Sequence, residues 1–237
     1  MLHTAHGNHV HIRHPYVSHY NVHVVEHIRQ ACNASAALQV CAERDMYEFG
    51  VLTGRSMKGY LKSLRKVHVP FRHYWGFDSF SGLPDEDAST ERTHTSVKDW
   101  QPGSWSASEA LRIKSWSTLE ATLLRYLNDT RVSLVRGYYN ESLTRTLAID
   151  RRMRPALFVE IDCDLYVSSS AALDWMFASQ LIVAGTILVY NDWAGGGSSG
   201  EARAHREACA KYNVTVTRLP SRMEMIFRVE SVGDRVA

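Results

Sequence analysis

From residue 46 onward, short apolar runs alternate with stretches whose apolar residues recur at helical spacing. This alternation is typical of a sheet built from strand–helix–strand crossover units. Strands are predicted at 46–51, 73–78, 131–135, 156–162, 184–191, 213–218 and 223–229, and helices at 55–66, 106–127, 167–179 and 200–212. Only the last two strands are expected to pair as a hairpin. We therefore predict an α/β fold, a Rossmann-like and mostly parallel seven-stranded sheet with a C-terminal antiparallel hairpin and helices on both faces.

The beginning of the chain differs in character from the rest. Eight of the twelve histidines fall within residues 1–45, where we expect an irregular start and then a helix near 21–42. This segment is predicted to cap the acceptor side of a site or to form a dimer contact, and residues 46–237 to form one domain. Within that domain, the long connection 79–105, which carries two tryptophans, is predicted to act as a lid.

Composition and charge exclude several classes of function. A formal charge of +2 and a pI near 8.3 are too small a basic excess to indicate a nucleic-acid-binding face. The longest apolar run, 181–190, is too short to cross a membrane. Four cysteines without CxxC spacing are too few for a disulfide framework and favour a reducing compartment. With no apolar signal at the start, the sequence predicts a soluble, cytoplasmic protein without nucleic-acid or membrane partners.

Two predicted strands end in acidic or amide side chains. The strand that ends at Asp162 is followed by Asp164, and another strand ends in Asn191 and Asp192. Because the carboxyl ends of neighbouring parallel strands meet at one edge of a sheet, these side-chain oxygens are expected to lie close together. Such a cluster suits a divalent cation, and a carboxylate beside it suits a proton acceptor.

A glycine turn follows the first predicted strand. Gly50 and Gly54 precede the helix expected at 55–66, so backbone N–H groups can approach a ligand without obstruction by Cβ atoms. The full GxGxxG pattern is absent, and Glu48 favours a ligand with an amine or sulfonium cation over one with phosphates. Asp78, at the end of the next strand, can accept two hydrogen bonds from ribose hydroxyls. Together these residues predict a positively charged nucleoside ligand.

Five segments connect these observations to a known family. They are Glu48-Phe49-Gly50-Val51 with Gly54 and Ser56, then Gly76 to Pro84, Val135 to Leu143, Ile161 to Tyr166, and Asn191-Asp192-Trp193. In order and spacing, over roughly residues 45–230, they resemble the macrocin O-methyltransferase family. The segments GFDSFSGLP and DCDLY are the most specific parts of this resemblance. The family comprises class I S-adenosylmethionine-dependent enzymes, which typically use a divalent metal to methylate sugar hydroxyls of natural products.

The resemblance implies a role for each matched residue. S-adenosylmethionine would be bound by Glu48, Phe49, Gly50, Gly54, Ser56, Asp78, Ser79, Gly137 and Tyr138. The metal, Mg²⁺ or another divalent cation, would be held by Asp162, Asn191 and Asp192, with Asp164 as the general base. The family commonly has two acids where this chain has Asn191-Asp192, so one ligand is neutral. The partner would be a small-molecule hydroxyl acceptor of sugar or natural-product type, and a homodimer through the N-terminal helix is expected by analogy.

The resemblance also implies which part of S-adenosylmethionine each residue would contact. Glu48, Gly50 and Ser56 would surround the methionine part, and Asp78 would hold the ribose. The turn at Gly137-Tyr138 would meet the adenine.

Two other interpretations remain open. His23, Glu26 and His27 fit the pattern H-x-x-E-H, which on a helix would place two histidines one turn apart, as in a metal-dependent peptidase. No downstream acidic third ligand can be assigned, so a polar, histidine-rich helix that packs over the sheet or at a dimer contact is the simpler interpretation. The fold could also serve as a non-catalytic nucleoside-binding module, although the presence of Asp164 favours an enzyme.

Overall fold

The structure is a computed structural model that describes residues 21–85, 101–193 and 200–233. Within these ranges the strands are β1 (Asp45–Phe49), β2 (Tyr74–Asp78), β3 (Val132–Arg136), β4 (Ala156–Ile161), β5 (Ile187–Tyr190), β6 (Val214–Leu219) and β7 (Met225–Val232). The helices are α1 (Asn21–Ala31), α2 (Ser35–Ala42), α3 (Arg55–Lys66), α4 (Ala107–Ala110), α5 (Trp116–Leu127), α6 (Tyr139–Ser142), α7 (Leu147–Asp150), α8 (Tyr166–Ala178) and α9 (Gly200–Lys211).

In the described part of the chain, the strands form one seven-stranded sheet with the order β3-β2-β1-β4-β5-β7-β6. The first five strands in this order are parallel to one another, and β7 runs antiparallel to both β5 and β6. The prediction of a Rossmann-like, mostly parallel sheet with a C-terminal antiparallel hairpin is therefore confirmed. The strand order reverses direction between β1 and β4, and ligands bind in the crevice outside the carboxyl ends of the strands at such a point.

The alternation of side chains along the strands creates two cores, one on each face of the sheet. In β1, Met46 packs into a core with α1, α3 and α5, whereas Tyr47 and Phe49 pack into a core with α8 and α9. Burial of a large apolar side chain in either core contributes about 1.5–3 kcal/mol. Helices thus cover both faces, as the sequence predicts.

Two predicted helices are each divided into two in the structure. The helix expected near 21–42 is broken between α1 and α2, because Ala34 is extended, with φ −95° and ψ 149°. The helix expected at 106–127 is broken between α4 and α5, where Arg112 adopts a left-handed φ of 56°. The short helices α6 and α7 were not predicted, since single turns carry too few residues to show a periodic pattern.

The N-terminal helices differ from expectation in one further respect. Cys32 and Cys41 form a disulfide that joins the end of α1 to α2, whereas the cysteine spacing favoured reduced thiols. Cys163 and Cys209 are free. Val24 and Ile28 of α1 are buried in the same core as α3, so this helix packs on the sheet. None of the described helices is long and apolar enough to cross a membrane.

Candidate active site

A cavity of about 670 Å³ opens at the carboxyl ends of the parallel strands. Its volume lies within the range of about 300–1,000 Å³ that is usual for small-molecule sites. Eight predicted site residues line it: Gly50, Asp78, Ser79, Gly137, Tyr138, Asp162, Asp164 and Asp192. The remaining lining residues include Leu83, Pro84, Asp85 and Trp105, which belong to the predicted lid connection 79–105. Residues 86–100 of that connection lie outside the described ranges.

Gly50, which follows β1, lies directly against the backbone of Asp162, which follows β4. Its φ is +95°, and a Cβ atom at this position would lie 1.8 Å from the backbone oxygen of Asp162. The backbone N–H of Asp162 in turn donates to the oxygen of Phe49 at 2.9 Å. Only glycine combines this φ with this contact, so the glycine brings the two strand ends together at the floor of the cavity.

The carboxylate of Asp78 holds the glycine turn against the end of β2. Its Oδ2 accepts hydrogen bonds from the backbone N–H groups of Val51 and Leu52, both at 2.8 Å, and its Oδ1 accepts from that of Phe80 at 2.6 Å. Burial raises the pKa of Asp78, and these hydrogen bonds oppose the rise. A carboxylate offers about four acceptor sites, so Asp78 can also accept from a ligand hydroxyl in the cavity.

The turn after β3 lies next to Asp78 in the cavity lining. Gly137 has a φ of +136°, and its N–H donates to the backbone oxygen of Asp78 at 3.0 Å. The hydroxyl of Tyr139 donates to the oxygen of Phe77 at 3.1 Å and lies 3.7 Å from the sulfur of Cys163. These contacts place Gly137 and Tyr138 at the β2–β3 side of the cavity, and Tyr139 next to Cys163.

Four predicted cofactor residues do not line the cavity. Glu48 points to the other face of the sheet, where its Oε1 accepts from Ser56 at 2.6 Å and its Oε2 accepts from the hydroxyl of Tyr74. Burial raises the pKa of Glu48 to about 7. Phe49 stacks on Phe77 in the core, and Gly54 lies against Leu127 at the start of α3. The hydrogen bond between Glu48 and Ser56 therefore joins β1 to the first turn of α3.

The acids at the ends of β4 and β5 gather on one side of the cavity. Burial and the neighbouring carboxylate of Asp192 hold the pKa of Asp162 well above its usual range, and Glu160 and Asp164 add to this effect. Asp164 has a left-handed φ of 59°, a conformation uncommon for residues other than glycine, asparagine and aspartate. The described lining contains no Lys, Arg or His side chain that could neutralise these acids.

Asn191, the third predicted metal ligand, does not line the cavity. Its Nδ2 donates to Oε1 of Glu160 at 2.9 Å, and the same oxygen accepts from the hydroxyl of Tyr60 at 3.0 Å. No group of three or more His, Cys, Asp or Glu side chains in the described ranges is arranged to hold a metal ion. The donor types nevertheless fit a hard divalent cation, because Asp162 and Asp192 supply carboxylates and Asn191 has an amide oxygen.

Glu201 is a buried residue near the site that the sequence did not indicate. It lies in the first turn of α9 and accepts backbone hydrogen bonds from Cys163 at 3.3 Å and from Asp192 at 2.9 Å. A glutamate in the first turn of a helix is common, since it interacts favourably with the helix dipole. The sequence therefore carries no signal that this one reaches two loops of the cavity.

Two residues of the H-x-x-E-H pattern, Glu26 and His27, have other partners. Glu26 pairs with Arg29 at 2.7 Å and accepts from Gln30 at 2.8 Å. The Nε2 of His27 bonds the backbone oxygen of Pro220 at 2.8 Å. These contacts place the pattern in the packing of α1 and not in a metal centre of the described chain.

Solved structures share this fold. Calicheamicin methyltransferase CalS11 matches with a TM-score of 0.59 and 22% identity, over 86% of this chain and 77% of that one. The O-methyltransferase NovP matches with a TM-score of 0.56 and 20% identity, over 88% and 80% of the two chains. An apo structure of CalS11, described as a TDP-rhamnose 3'-O-methyltransferase, matches with a TM-score of 0.52 and 20% identity, over 89% and 81%. No curated protein sequence matches the chain.

The sheet order and the cavity at its reversal point define the class of fold, which is a Rossmann-like α/β sheet shared with the solved methyltransferases. The profile of one family matches residues 22–216, most of the chain. The chain belongs to the macrocin-O-methyltransferase (TylF) family. It is accordingly an S-adenosylmethionine-dependent O-methyltransferase, and the resemblance seen in the sequence is confirmed.

Proposed function

We propose that this enzyme methylates a hydroxyl group of a sugar or a related natural-product small molecule, with the assistance of a divalent cation. The observation that carries the proposal is one cavity that joins Gly50, Asp78 and Gly137 to the acids Asp162 and Asp164. The family membership and the similarity to CalS11, a TDP-rhamnose 3'-O-methyltransferase, support a sugar hydroxyl as acceptor.

The cofactor would occupy the side of the cavity formed by β1, β2 and β3. Gly50 lines this side without a side chain, and Asp78 can accept a hydrogen bond from the ribose. The turn at Gly137 and Tyr138 is placed to meet the adenine. The acids on the opposite side would attract the positively charged sulfonium, and in the partly enclosed cavity that attraction is stronger than in water.

The acceptor would then lie between the cofactor and the acids. Transfer breaks the bond from sulfur to methyl carbon, forms the bond from carbon to the acceptor oxygen and releases S-adenosylhomocysteine. Asp164 lines the cavity and would take the hydroxyl proton. Because the reaction disperses the sulfonium charge, alignment of the two reactants should supply most of the acceleration.

The metal would be held by Asp162 and Asp192, with the amide oxygen of Asn191 as the neutral ligand. When bound, a divalent cation lowers the pKa of a coordinated hydroxyl and orients it. The described lining contributes five aspartates and no Lys, Arg or His side chain, so the cavity favours positively charged groups. Asp162 in particular carries a raised pKa that a nearby cation would lower.

The cavity also has apolar lining residues. They include Leu83, Pro84, Trp105 and Val167, and a sugar ring or an attached aglycone can pack on such surfaces. The base of the connection 79–105 is fixed, because Leu83 N–H donates to the oxygen of Ser104 at 2.8 Å. We propose that this connection covers the acceptor and that the N-terminal segment lies on the same side.

Cytoplasmic localisation and a homodimer remain predictions, and the Cys32–Cys41 bridge argues for an oxidising environment.

The test is transfer of radiolabelled methyl groups from S-adenosylmethionine to a panel of acceptors. The panel contains a nucleotide-activated deoxysugar, a glycoside with free sugar hydroxyls and a catechol, each with Mg²⁺ and with EDTA. We expect Mg²⁺-dependent transfer to a sugar hydroxyl, reduced about 100-fold or more by Asp164→Asn. Asp150→Asn, an exposed acid in α7, is the matched control and should retain full activity.

Each part of the proposal has its own contrary outcome. Transfer that is equally fast in EDTA would exclude the metal, and an active Asp164→Asn variant would exclude that residue as the base. Transfer to the catechol alone would exclude the sugar acceptor. Failure to transfer to any acceptor, together with failure to bind S-adenosylhomocysteine, would contradict the function as a whole.

A further inference from the structure

We propose that Glu201 is a positioning residue, which holds together the two loops that carry the acids of the site. The inference rests on the proposed function, since it assigns Glu201 a part in the same reaction. Glu201 does not line the cavity, so it would act through the backbone of residues that do.

The two loops leave the sheet at neighbouring positions. The last backbone hydrogen bond between them runs from the N–H of Asn191 to the oxygen of Ile161 at 3.2 Å. Beyond this point, the N–H of Asp192 donates to Oε2 of Glu201 at 2.9 Å, and the N–H of Cys163 donates to Oε1 at 3.3 Å. Beyond the last backbone hydrogen bond between β4 and β5, the carboxylate of Glu201 therefore joins the two loops.

The two backbone groups that Glu201 binds belong to the centre of the acid cluster. Cys163 lies between Asp162 and Asp164 in the chain, and Asp192 is itself one of the acids. One side chain thus fixes the backbone next to the predicted base and both predicted carboxylate ligands. A shift of Glu201 would change the distances between these acids without any change in their identity.

Stability alone does not explain a carboxylate at this position. Glu201 is fully buried and lies close to Asp162 and Asp192, so burial and these two acids raise its pKa and oppose its ionised form, whereas the hydrogen bonds from the N–H groups of Asp192 and Cys163 favour that form. Burial of a charge next to like charges is unfavourable. Among side chains, however, only a carboxylate presents two acceptor oxygens without a competing donor, and both N–H groups need an acceptor. The need to bind the backbone N–H groups of Cys163 and Asp192 at the same time accounts for a glutamate at position 201.

The substitution Glu201→Gln tests this requirement. The amide side chain has one acceptor oxygen and an NH₂ group, so one of the two backbone N–H groups would face a donor. We expect kcat to fall about 100-fold, the effect of a displacement near 1 Å at a reacting centre. The KM for S-adenosylmethionine and the Kd for S-adenosylhomocysteine should change by less than about threefold, because Asp78 and Gly137 are held by other contacts.

Glu207→Gln is the matched control on the same helix. Glu207 is bound to Tyr166 and Arg203 on the outer side of α9 and does not line the cavity. The control should keep the kcat and both affinities of the unmodified enzyme. Equal kcat values for the two variants would overturn the proposal, as would a parallel loss of kcat and cofactor affinity in Glu201→Gln, which would indicate general structural damage.

Hydrogen exchange of the Cys163 amide tests its hydrogen bond to Glu201 directly and requires no methyl-acceptor substrate. The chain has four cysteines, so labelling with [¹⁵N]cysteine gives four backbone amide signals, and Cys163→Ser assigns the relevant one. We expect the Cys163 amide to exchange with solvent at least about tenfold faster in Glu201→Gln than in Glu207→Gln. A rapidly exchanging Cys163 amide in the unmodified protein would overturn the proposal even if Glu201→Gln failed to fold.

These experiments distinguish a failure of the positioning role of Glu201 from a failure of the proposed function. If the unmodified enzyme neither binds S-adenosylhomocysteine nor transfers a methyl group, the proposed function fails, and the exchange of the Cys163 amide still decides whether Glu201 holds the loops. If the enzyme is active and Glu201→Gln is equally active, the proposed function stands and the positioning role fails.

Discussion

The side-chain amide of Asn191 donates a hydrogen bond to the buried carboxyl group of Glu160 at 2.9 Å. Glu160 is almost fully buried and carries a pKa well above its usual range, chiefly because of burial and secondly because of Glu48. An aspartate at position 191 would place an acceptor against this acceptor. The contact thus accounts for a neutral amide side chain at position 191.

Asn191→Asp should lower the free energy of unfolding by about 2 kcal/mol, because two buried acceptors would then face each other. Adding Glu160→Gln in the same chain should recover at least half of this loss, since an amide can donate to the new carboxylate. Urea unfolding of the two single variants and the double variant measures the coupling. Equal losses with and without Glu160→Gln would show that the contact does not select asparagine.

Gly50→Ala should destabilise the protein by about 3 kcal/mol or more, because the new Cβ would lie 1.8 Å from the oxygen of Asp162. Gly103→Ala is the matched control. Gly103 also has a positive φ, of +83°, but a Cβ there would meet no atom within 4 Å. Its cost should be about 1 kcal/mol, from backbone strain alone. Similar unfolding midpoints for the two variants would contradict the close approach of β1 and β4.

The stability of the protein should decrease as the pH rises from about 5 to about 8, in part because of Glu48. Its carboxyl group has a pKa of about 7 in the folded protein against an ordinary value of 4.5. Between these values the folded chain binds more protons than the unfolded chain, so stability is highest at the acidic end and is lost as the pH rises through 7. Glu48→Gln should flatten this slope in urea titrations. An unchanged slope would mean that Glu48 does not titrate in this range.

Removal of the disulfide by Cys32→Ser and Cys41→Ser together should cost about 2–3 kcal/mol, the loop-entropy value for a sequence separation of 9. Cys209→Ser, at a free cysteine, serves as the control and should cost less than about 1 kcal/mol. A thiol count on the denatured, oxidised protein should give two free thiols, and reduction should give four. Four thiols before reduction would exclude the bridge.

The sequence predicted the parts of the site that depend on strand ends. Gly50, Asp78, Asp162 and Asp192 follow apolar runs, and in a parallel sheet this places them at one edge whatever the details of packing. Glu48 was assigned to the cofactor by resemblance, yet side chains alternate along β1 and this one points to the other face of the sheet.

Contacts between distant elements could not be predicted in the same way. Glu201 binds the amide of a residue 38 positions away, and nothing in the local pattern of α9 indicates that contact. The pairing of Cys32 with Cys41 likewise depends on how α1 and α2 turn relative to each other. The division of two predicted helices followed from single residues without a glycine or proline signal, Ala34 in an extended and Arg112 in a left-handed conformation.

The central claim is that the cavity binds the S-adenosyl cofactor through the residues at the ends of β1 and β2. Calorimetric titration of S-adenosylhomocysteine into the unmodified protein, Asp78→Asn and Asp85→Asn tests it most directly. Both aspartates line the cavity, but Asp78 binds the glycine turn and Asp85 lies at the exposed rim. We predict micromolar binding that Asp78→Asn weakens at least about tenfold and Asp85→Asn leaves nearly unchanged. Absence of binding to the unmodified protein, or equal effects of the two substitutions, would contradict the account.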